Sequence, residues 1–328
     1  MWNDDPILMP GGALHGEANP VFRLTSYFPY HQAHPYLMPD AWQTLLDCFL
    51  PLVRGHCDRI ILWDRPGAKA RRGKRILEAD WRPFHHLSSL ENDVKSGIFT
   101  GFSFLDRADA LEGNGRGPCS VRFFVGSSIR FEACIPLEDW AQGRLSIDAL
   151  ATALQALPYV SVMAGFGLSL GERYGAADPD ATHHALRQYA TRYPAIDMAR
   201  DEDRSFFPGS PQDFPLIGIA GISWLTGIGE PFRSMAGGAA ALAANAPAEV
   251  QLSDGSFGSL FRLGAGPVSG EAGVDDSALA RYRWLGRRLS TVWSPRKDDT
   301  RAPVFGRSAK PQSLAWERRF YDSGPGRA

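Results

Sequence analysis

The sequence lacks any apolar run long enough to cross a membrane. Its longest apolar stretch is about 14 residues, whereas a membrane-spanning helix needs about 20. We also expect no leader for export, because Asp4, Asp5 and Pro6 occupy the place where a signal peptide has a positively charged segment and an apolar block. We therefore expect a cytoplasmic protein that has no membrane partner.

A surplus of charge of either sign is also lacking. The 328 residues include 35 Lys and Arg against 36 Asp and Glu, which gives a net charge of −1. The overall charge therefore provides no field that would attract nucleic acid or an anionic membrane surface.

Cysteine is scarce as well. The four cysteines are Cys48, Cys57, Cys119 and Cys134, and no two of them have the C-x-x-C spacing of a metal or redox motif. This usage is typical of reduced thiols in the core of a cytoplasmic protein.

The chain does contain enough apolar material for a large core, since 44% of its residues are hydrophobic and 22% are charged. Helical and hairpin patterns alternate along it, which predicts an α+β fold with a largely antiparallel sheet and packed helices. We place the folded domain at residues 20–293, between an N-terminal arm at 1–19 and a polar C-terminal tail at 294–328. The pattern leaves open whether this domain is one unit or two similar lobes, at 20–157 and 158–293.

A weakly polar, glycine-rich stretch in the second half of the chain is expected to organise the core. Residues 216–227 predict a buried strand that runs into a loop, because bulky apolar residues are bounded by glycines. Pro231 is expected to open a helix in which Gly237 and Gly238 would let another backbone approach closely. The dipeptide Asp254-Gly255, between two apolar segments, then predicts a β-hairpin.

Two patterns in the first half make further structural predictions. Asp40 is expected to cap a helix, with Gln43 completing a capping box three residues later. The segment 121–135 alternates apolar with polar residues on both sides of a turn, which predicts a hairpin with one face in water. The polar positions of that hairpin are Arg122, Arg130 and Glu132.

One motif has the letters of a catalytic pattern. Gly167-Leu168-Ser169-Leu170-Gly171 reads G-x-S-x-G, the turn that carries the nucleophile of α/β-hydrolases. Only His183 and His184 follow it, too close along the chain to supply the base in the usual triad order. Gly165 and Gly167 with Gly171 also approach a dinucleotide fingerprint, but the last gap is one residue too long and the acidic partner is missing. A tight turn that leaves a strand accounts better for these glycines.

We therefore predict that the protein is not an enzyme and has no catalytic residue, no cofactor and no metal site. Two alternatives stay open. The first is a small-molecule or nucleotide-binding enzyme that uses the Gly165–Gly171 turn. The second is a nucleic-acid binder that uses the basic segment at 65–75, although this segment lacks the interleaved aromatics that stack on bases.

Several short motifs follow one another in a definite order in the second half. They are Gly165 and Gly167 after a strand, Tyr193, Pro194 and Asp197 after a helix, Trp224, Leu225 and Thr226 in an apolar run, Gly237 and Gly238 in the next helix, Gly264, Gly266, Pro267 and Gly270 after the hairpin, and Tyr282 in the last helix. In this order they resemble the TsiV-like family of type VI secretion immunity proteins, which act against VRR-type nuclease toxins. The resemblance extends over roughly Val21 to Trp293, and the family often has Asn where this chain has Ser223.

The resemblance implies a cytoplasmic immunity protein whose partner is a cognate nuclease effector toxin and which blocks the active site or the DNA groove of that toxin. It implies no direct nucleic-acid partner and leaves open whether the protein forms a homodimer. Because a nuclease groove is basic, acidic residues flanked by aromatic ones are the natural candidates for the contact. These candidates are Asp201, Glu202, Asp203, Phe206 and Phe207.

Overall fold

A computed structural model of the protein describes residues 18–63, 74–87, 101–106, 119–125, 128–170, 179–197, 219, 221–271, 273–293 and 310–321. The strands within these residues are β1 (Ala18–Pro29), β2 (Cys57–Trp63), β3 (Lys74–Arg75), β4 (Gly101–Asp106), β5 (Ser120–Val125), β6 (Ser128–Pro136), β7 (Ser161–Leu170), β8 (Leu225–Gly229), β9 (Val250–Asp254) and β10 (Gly258–Leu263). The helices are α1 (Tyr30–Ala33), α2 (Pro39–Asp47), α3 (Leu50–His56), α4 (Pro83–Leu87), α5 (Leu137–Ala141), α6 (Ile147–Gln155), α7 (Pro179–Arg192), α8 (Phe232–Met235), α9 (Gly238–Ala243), α10 (Asp276–Leu289) and α11 (Lys310–Arg318).

The ten strands form one open sheet in the order β3-β2-β4-β5-β6-β1-β7-β8-β10-β9. Every neighbouring pair in this order is antiparallel, which confirms the predicted α+β fold with an antiparallel sheet. The first strand lies in the middle of the sheet, where Val21 faces Pro136 of β6 on one side and Gly167 of β7 on the other. The predicted hairpin at Asp254-Gly255 is the β9–β10 hairpin.

One face of the sheet carries the main apolar core. Side chains alternate along a strand, so Phe22 and Phe28 of β1 point to the same face. Trp140 of α5 stacks on Phe22 at 4.2 Å between ring centroids, and Trp42 of α2 lies 4.5 Å from Phe28. On the opposite face, near the β10 end of the sheet, Trp284 of α10 packs against Phe261 at 6.3 Å. The sheet is therefore covered by helices on both of its faces.

The start of α2 differs from the prediction. The helix begins at Pro39 with Met38 as its N-cap residue, and the N-cap makes no side-chain hydrogen bond. Pro39 has the backbone angle that a first helical turn needs, so the helix begins one residue before Asp40. Gln43 is buried and donates to the Asp47 carboxylate at 2.8 Å and to the Trp81 carbonyl at 3.2 Å. The predicted capping box of Asp40 with Gln43 is therefore wrong.

The β5–β6 hairpin forms as predicted, but its polar face is not in water. Arg122 and Glu132 face each other across the two strands, and both side chains are buried. Only Arg130 is partly exposed, and its guanidinium lies 4.8 Å from the centre of the Phe124 ring. The prediction of one wet face is wrong: β1 adds a further charged side chain, Arg23, 2.8 Å from Glu132, and Arg23, Arg122 and Glu132 are all buried.

The two glycines predicted to permit close packing have another role. Gly237 and Gly238 have φ angles of 93° and 78°, which L residues rarely adopt, and they are the N-cap and the first residue of α9, shortly after the end of α8. A Cβ atom on Gly238 would meet nothing within 4 Å. These glycines therefore turn the chain between two short helices.

The C-terminal part of the chain is packed where the structure describes it. Residues 310–321 lie within the segment predicted as a polar tail, yet they form α11 and bury Phe320 and Tyr321. The Phe320 ring lies 5.3 Å from the Tyr282 ring of α10. No helix in the described ranges is long and apolar enough to span a membrane.

All four cysteines are free thiols, and Cys48 is the one that is not fully buried. Burial, with the nearby Asp47 carboxylate, raises the pKa of the Cys48 thiol to about 11. The reactive thiolate is thereby depleted, so we expect iodoacetamide at pH 8 to alkylate Cys48 roughly 100-fold more slowly than an exposed cysteine. Mass spectrometry of the native protein measures this rate, with the urea-unfolded protein as the control. Alkylation of native Cys48 as fast as that of an exposed cysteine would contradict the raised pKa of this thiol.

Candidate functional site

The residues predicted to contact a toxin lie outside the described part of the chain. They are Asp201, Glu202, Asp203, Phe206 and Phe207, and most of the basic segment at 65–75 is also outside it. Both assignments therefore remain predictions. The motif residues that carry the family resemblance are all described, and most of them belong to a cluster of contacts that joins β7, β8 and β10 to the segments beside α7 and α10.

The first contact in this cluster joins β7 to the segment that follows α7. The Asp197 amide donates to the Phe166 carbonyl at 2.8 Å, and the Leu168 amide donates to the Asp197 carbonyl at 3.0 Å. A Cβ atom on Gly167 would lie 2.9 Å from the Asp197 carbonyl oxygen, which is too close for a side chain. Gly167 is therefore needed because a second backbone passes directly over it.

A buried arginine lies beside this crossing. The Arg23 Nη2 atom is 2.8 Å from a Glu132 carboxylate oxygen, and its Nε atom is 3.7 Å from the Asp197 carboxylate. Its Nη1 atom donates to the Leu168 carbonyl at 3.1 Å. Arg23 and Glu132 are each only 2% exposed. We call Arg23, Glu132 and Asp197 the arginine cluster.

The electrostatics of the arginine cluster favour the charged guanidinium. Burial alone lowers the pKa of Arg23, but the carboxylates of Glu132 and Asp197 raise it, and the net effect is a rise. A charge can be kept in a protein interior only when it is paired and hydrogen-bonded. The cluster therefore ties β1, β6 and β7 together.

The sequence contains one signal of this arrangement. Arg23 interrupts the apolar run of β1 between Phe22 and Leu24. An arginine in the middle of such a strand is expected to have a buried carboxylate partner if the strand is covered on both faces.

A second contact fixes the turn before β8. The Thr226 hydroxyl accepts from the Ser223 amide at 2.9 Å and donates to the Ser223 carbonyl at 2.7 Å. The Ser223 hydroxyl in turn donates to the Ala164 carbonyl of β7 at 2.9 Å. A Cβ atom on Gly165 would lie 2.5 Å from that hydroxyl oxygen. Among the described residues of the segment predicted as a strand at 216–227, the turn at Ser223 precedes β8, which begins at Leu225.

Trp224 anchors the same turn in the core. It is fully buried, and its indole Nε1 donates to the Gly264 carbonyl at 3.0 Å. Gly264 has a φ of 112°, and a Cβ atom there would lie 2.9 Å from the Arg281 guanidinium. Arg281 itself donates to the Leu263 carbonyl at 3.1 Å. The motif residues at 224 and 264 thus join β8, β10 and α10.

The remaining motif residues join α7 to the segment before α10. The Ala195 amide donates to the Ser269 carbonyl at 3.0 Å, and a Cβ atom on Gly270 would lie 2.7 Å from the Ala195 nitrogen. Tyr193, Pro267 and Tyr282 are buried around this contact, and Pro194 accepts a hydrogen bond from Arg319 at its carbonyl. Burial raises the pKa of the Tyr282 hydroxyl, so it stays protonated. Gly266 is an exception, because a Cβ atom there would meet nothing within 4 Å.

The Gly165–Gly171 turn proposed for an enzyme is not present at the residues described. Residues 161–170 are strand β7, in which Ser169 pairs with Asn19 of β1 and is fully buried. A serine in this position is not at the strand-to-helix turn that a hydrolase nucleophile needs. Across the described ranges, no three His, Cys, Asp or Glu side chains lie close enough together to hold a metal ion.

The fold is that of an antiparallel α+β protein, and the motif residues make the contacts that hold its strands and helices together. The family model described as "Type VI immunity for VRR-NUC" matches residues 141–320, which is more than half of the chain. The chain belongs to this family, TsiV, and the resemblance stated from the motifs is confirmed. The matched range includes all of the motif residues, and of the arginine cluster it includes Asp197 but not Arg23 or Glu132. It also extends into the C-terminal segment with α11.

A solved structure supports the fold independently. The chain is similar to the Pseudomonas aeruginosa T6SS protein PA0821, with a TM-score of 0.67 and 17% sequence identity. The similarity covers 96% of this chain and 87% of that one. Sequence identity this low shows a common fold only. No curated protein matches the chain.

Removal of the Thr226 hydroxyl should show how much the turn before β8 contributes to the stability of the folded protein. We expect Thr226→Val to lower the free energy of unfolding by about 2–3 kcal/mol, since both the amide and the carbonyl of Ser223 lose their partner inside the protein. Urea unfolding followed by tryptophan fluorescence measures the loss. Thr152→Val is the matched control, because the Thr152 hydroxyl bonds to a helix carbonyl at an exposed position. Equal effects of the two substitutions would contradict a special role for Thr226.

Proposed function

We propose that the protein is a cytoplasmic immunity protein that binds a cognate VRR-type nuclease toxin of a type VI secretion system. It neutralises the toxin in a stoichiometric complex that covers the active site or the DNA groove. The observation that carries this proposal is the match of the TsiV family model to residues 141–320.

The roles of the motif residues support a scaffold that binds rather than a site that reacts. Arg23, Trp224 and Tyr282 are buried; Arg23 and Trp224 donate to backbone carbonyls, and the Tyr282 hydroxyl is hydrogen-bonded to the backbone of Val268. Groups held in this way cannot reach a substrate. An inhibitor needs a stable scaffold with an exposed complementary surface, and this arrangement meets the first of those needs.

Expression of a candidate nuclease toxin encoded by a neighbouring gene, with and without this chain, tests the proposal in bacterial cells. We expect the chain to restore survival and intact genomic DNA, and to co-elute with a catalytically inactive form of the toxin. In vitro, inhibition of the nuclease activity should be complete at about one molecule of this protein per molecule of toxin, because a tightly bound inhibitor is consumed stoichiometrically. Inhibition at far lower ratios would indicate an enzyme that modifies the toxin, and neither rescue nor a complex would refute the proposal.

The acids at 201–203 are the first surface to test for toxin contact. We expect the replacement of Asp201, Glu202 and Asp203 by alanine to weaken binding about 10-fold or more at low salt, because a nuclease groove is basic. The effect should shrink as salt rises, since exposed charges are screened. Unchanged affinity at low salt in surface plasmon resonance would eliminate this segment as a contact.

A further inference from the structure

The two ends of the sheet are built differently. At one end, β3 consists only of Lys74 and Arg75, both exposed. A very short, cationic edge strand is a usual protection against pairing with another strand. At the other end, β9 has five residues and contains neither lysine nor proline. Among the described residues, no strand pairs with the outer edge of β9.

The hydrogen-bonding register shows which backbone groups face that outer edge. The Gly255 amide donates to the Gly258 carbonyl at 2.9 Å, next to the β9–β10 ladder that pairs Ser253 with Leu260. Bonding direction alternates along an antiparallel strand, so Gln251 and Ser253 bond towards β10. The amide and carbonyl groups of Leu252 and Asp254 therefore point outward.

The side chains around this edge present negative charge. Glu249, Asp254 and Glu230 are 62%, 46% and 41% exposed. Their cationic partners lie deeper: Arg281 is 3.9 Å from Glu249, and Arg233 is 2.9 Å from Asp254, and each of these arginines is less than one-fifth exposed. A strand that approaches β9 consequently meets acidic side chains near both of its ends.

This distribution of charge disfavours a second copy of the chain as the occupant. Two copies of β9 paired antiparallel about Leu252 would place Glu249 of one copy opposite Gly255 of the other, one residue from its Asp254, at both ends. The pairing would thus gather the acidic side chains of both copies at the ends of the strands, where like charges repel. The complementary occupant is an extended segment with basic side chains near its ends.

We propose that the outer edge of β9 binds an extended, basic segment of the nuclease toxin by β-strand addition. This inference rests on the proposed function, because it takes the toxin to be the partner. Leu252 and Asp254 would supply main-chain hydrogen bonds, and Glu249 and Asp254 would select basic flanking residues. The same acids would keep the free protein from pairing with itself.

Amide hydrogen exchange of the complex with catalytically inactive toxin tests the inference directly. In the free protein the Leu252 and Asp254 amides should exchange fast, while the Gln251 and Ser253 amides are protected by β10. Binding should slow exchange at Leu252 and Asp254 by at least about 10-fold, as expected for amides that enter a new ladder. A complex that forms without this protection overturns the inference and leaves the proposed function standing. The absence of any complex overturns both.

A charge reversal at the edge provides the second measurement. We expect Glu249→Lys to lower the association rate with the toxin about 10-fold at low salt. Asp40→Lys is the matched control, because it makes the same change of charge at a side chain that is 90% exposed on α2, which packs over β5 and β6. Equal effects of the two variants overturn the inference. So does a free protein that dimerises with protected Leu252 amides, since the occupant would then be a second copy.

Discussion

Replacement of Arg23 by methionine is expected to lower the free energy of unfolding by about 3–5 kcal/mol, the range typical for removal of one partner from a buried ion pair. Methionine fills much of the space of the arginine stem, so the loss measures charge more than volume. Glu132 would keep its negative charge in the interior without the guanidinium that now lies 2.8 Å away. Asp197 would lose its cationic neighbour at the same time. Urea unfolding at neutral pH measures the difference.

Two further variants show how much of the lost stability comes from breaking the Arg23–Glu132 ion pair and how much comes from lost packing. Arg54→Met removes an arginine whose ion pair with Glu78 is exposed, and we expect a change within about 0.5 kcal/mol. Arg23→Met combined with Glu132→Met removes both charges, and it should recover part of the loss because no charge is left unpaired at 132. If Arg23→Met costs no more than Arg54→Met, the arginine cluster does not hold the sheet together.

Gly286→Ala should be the second most damaging substitution. Gly286 lies on α10 where the C-terminal segment crosses it, and a Cβ atom there would overlap the carbonyl oxygen of Phe320. A backbone cannot move aside as a flexible side chain can, so we expect a loss of about 2–3 kcal/mol, in the upper part of the range for overpacking. The segment with α11 should also detach, because Phe320 can no longer pack against Tyr282.

Limited proteolysis reports this detachment, and Gly55→Ala is its matched control. We expect cleavage within residues 310–321 of Gly286→Ala under conditions in which the parent protein is intact. Gly55 is also a helical glycine, in α3, but a Cβ atom there would meet nothing within 4 Å. Alanine at 55 should therefore stabilise the protein by about 0.4–1 kcal/mol. An intact C-terminus in Gly286→Ala would show that the crossing is looser than the structure has it.

Local signals were predictable from the sequence. The turn dipeptide Asp254-Gly255 specifies its hairpin through the four residues of the turn, and the side chain of Ser146 caps α6 by accepting from the Ala149 amide. The order of the short motifs was sufficient to identify the family, because order and spacing survive where single residues do not. Each of these features depends on neighbours along the chain.

Features that depend on distant partners were not predictable. Arg23 bonds to Leu168, 145 residues away, and Gln43 bonds to Trp81, 38 residues away. Gly165 and Gly167 look like turn glycines until the segments that cross β7 are known, and only then does the lack of a side chain become a packing requirement. The residues predicted to contact a toxin lie outside the described ranges, and that contact stays a prediction.

The central position of β1 has a kinetic consequence. Its partner β7 ends at Leu170, and a ribosome that adds about 5–20 residues per second would deliver this strand roughly 7–30 s after β1 has been synthesised. Until then β1 can pair only with β6, and its other edge is an open, apolar strand edge that is prone to aggregation and to capture by chaperones. A sheet whose strands pair across such long sequence separations also folds slowly after the whole chain has been synthesised. For the proposed function, this delay means that a cell would be protected from a toxin mainly by immunity protein that had already folded. Protein synthesised after the toxin arrives would fold too late.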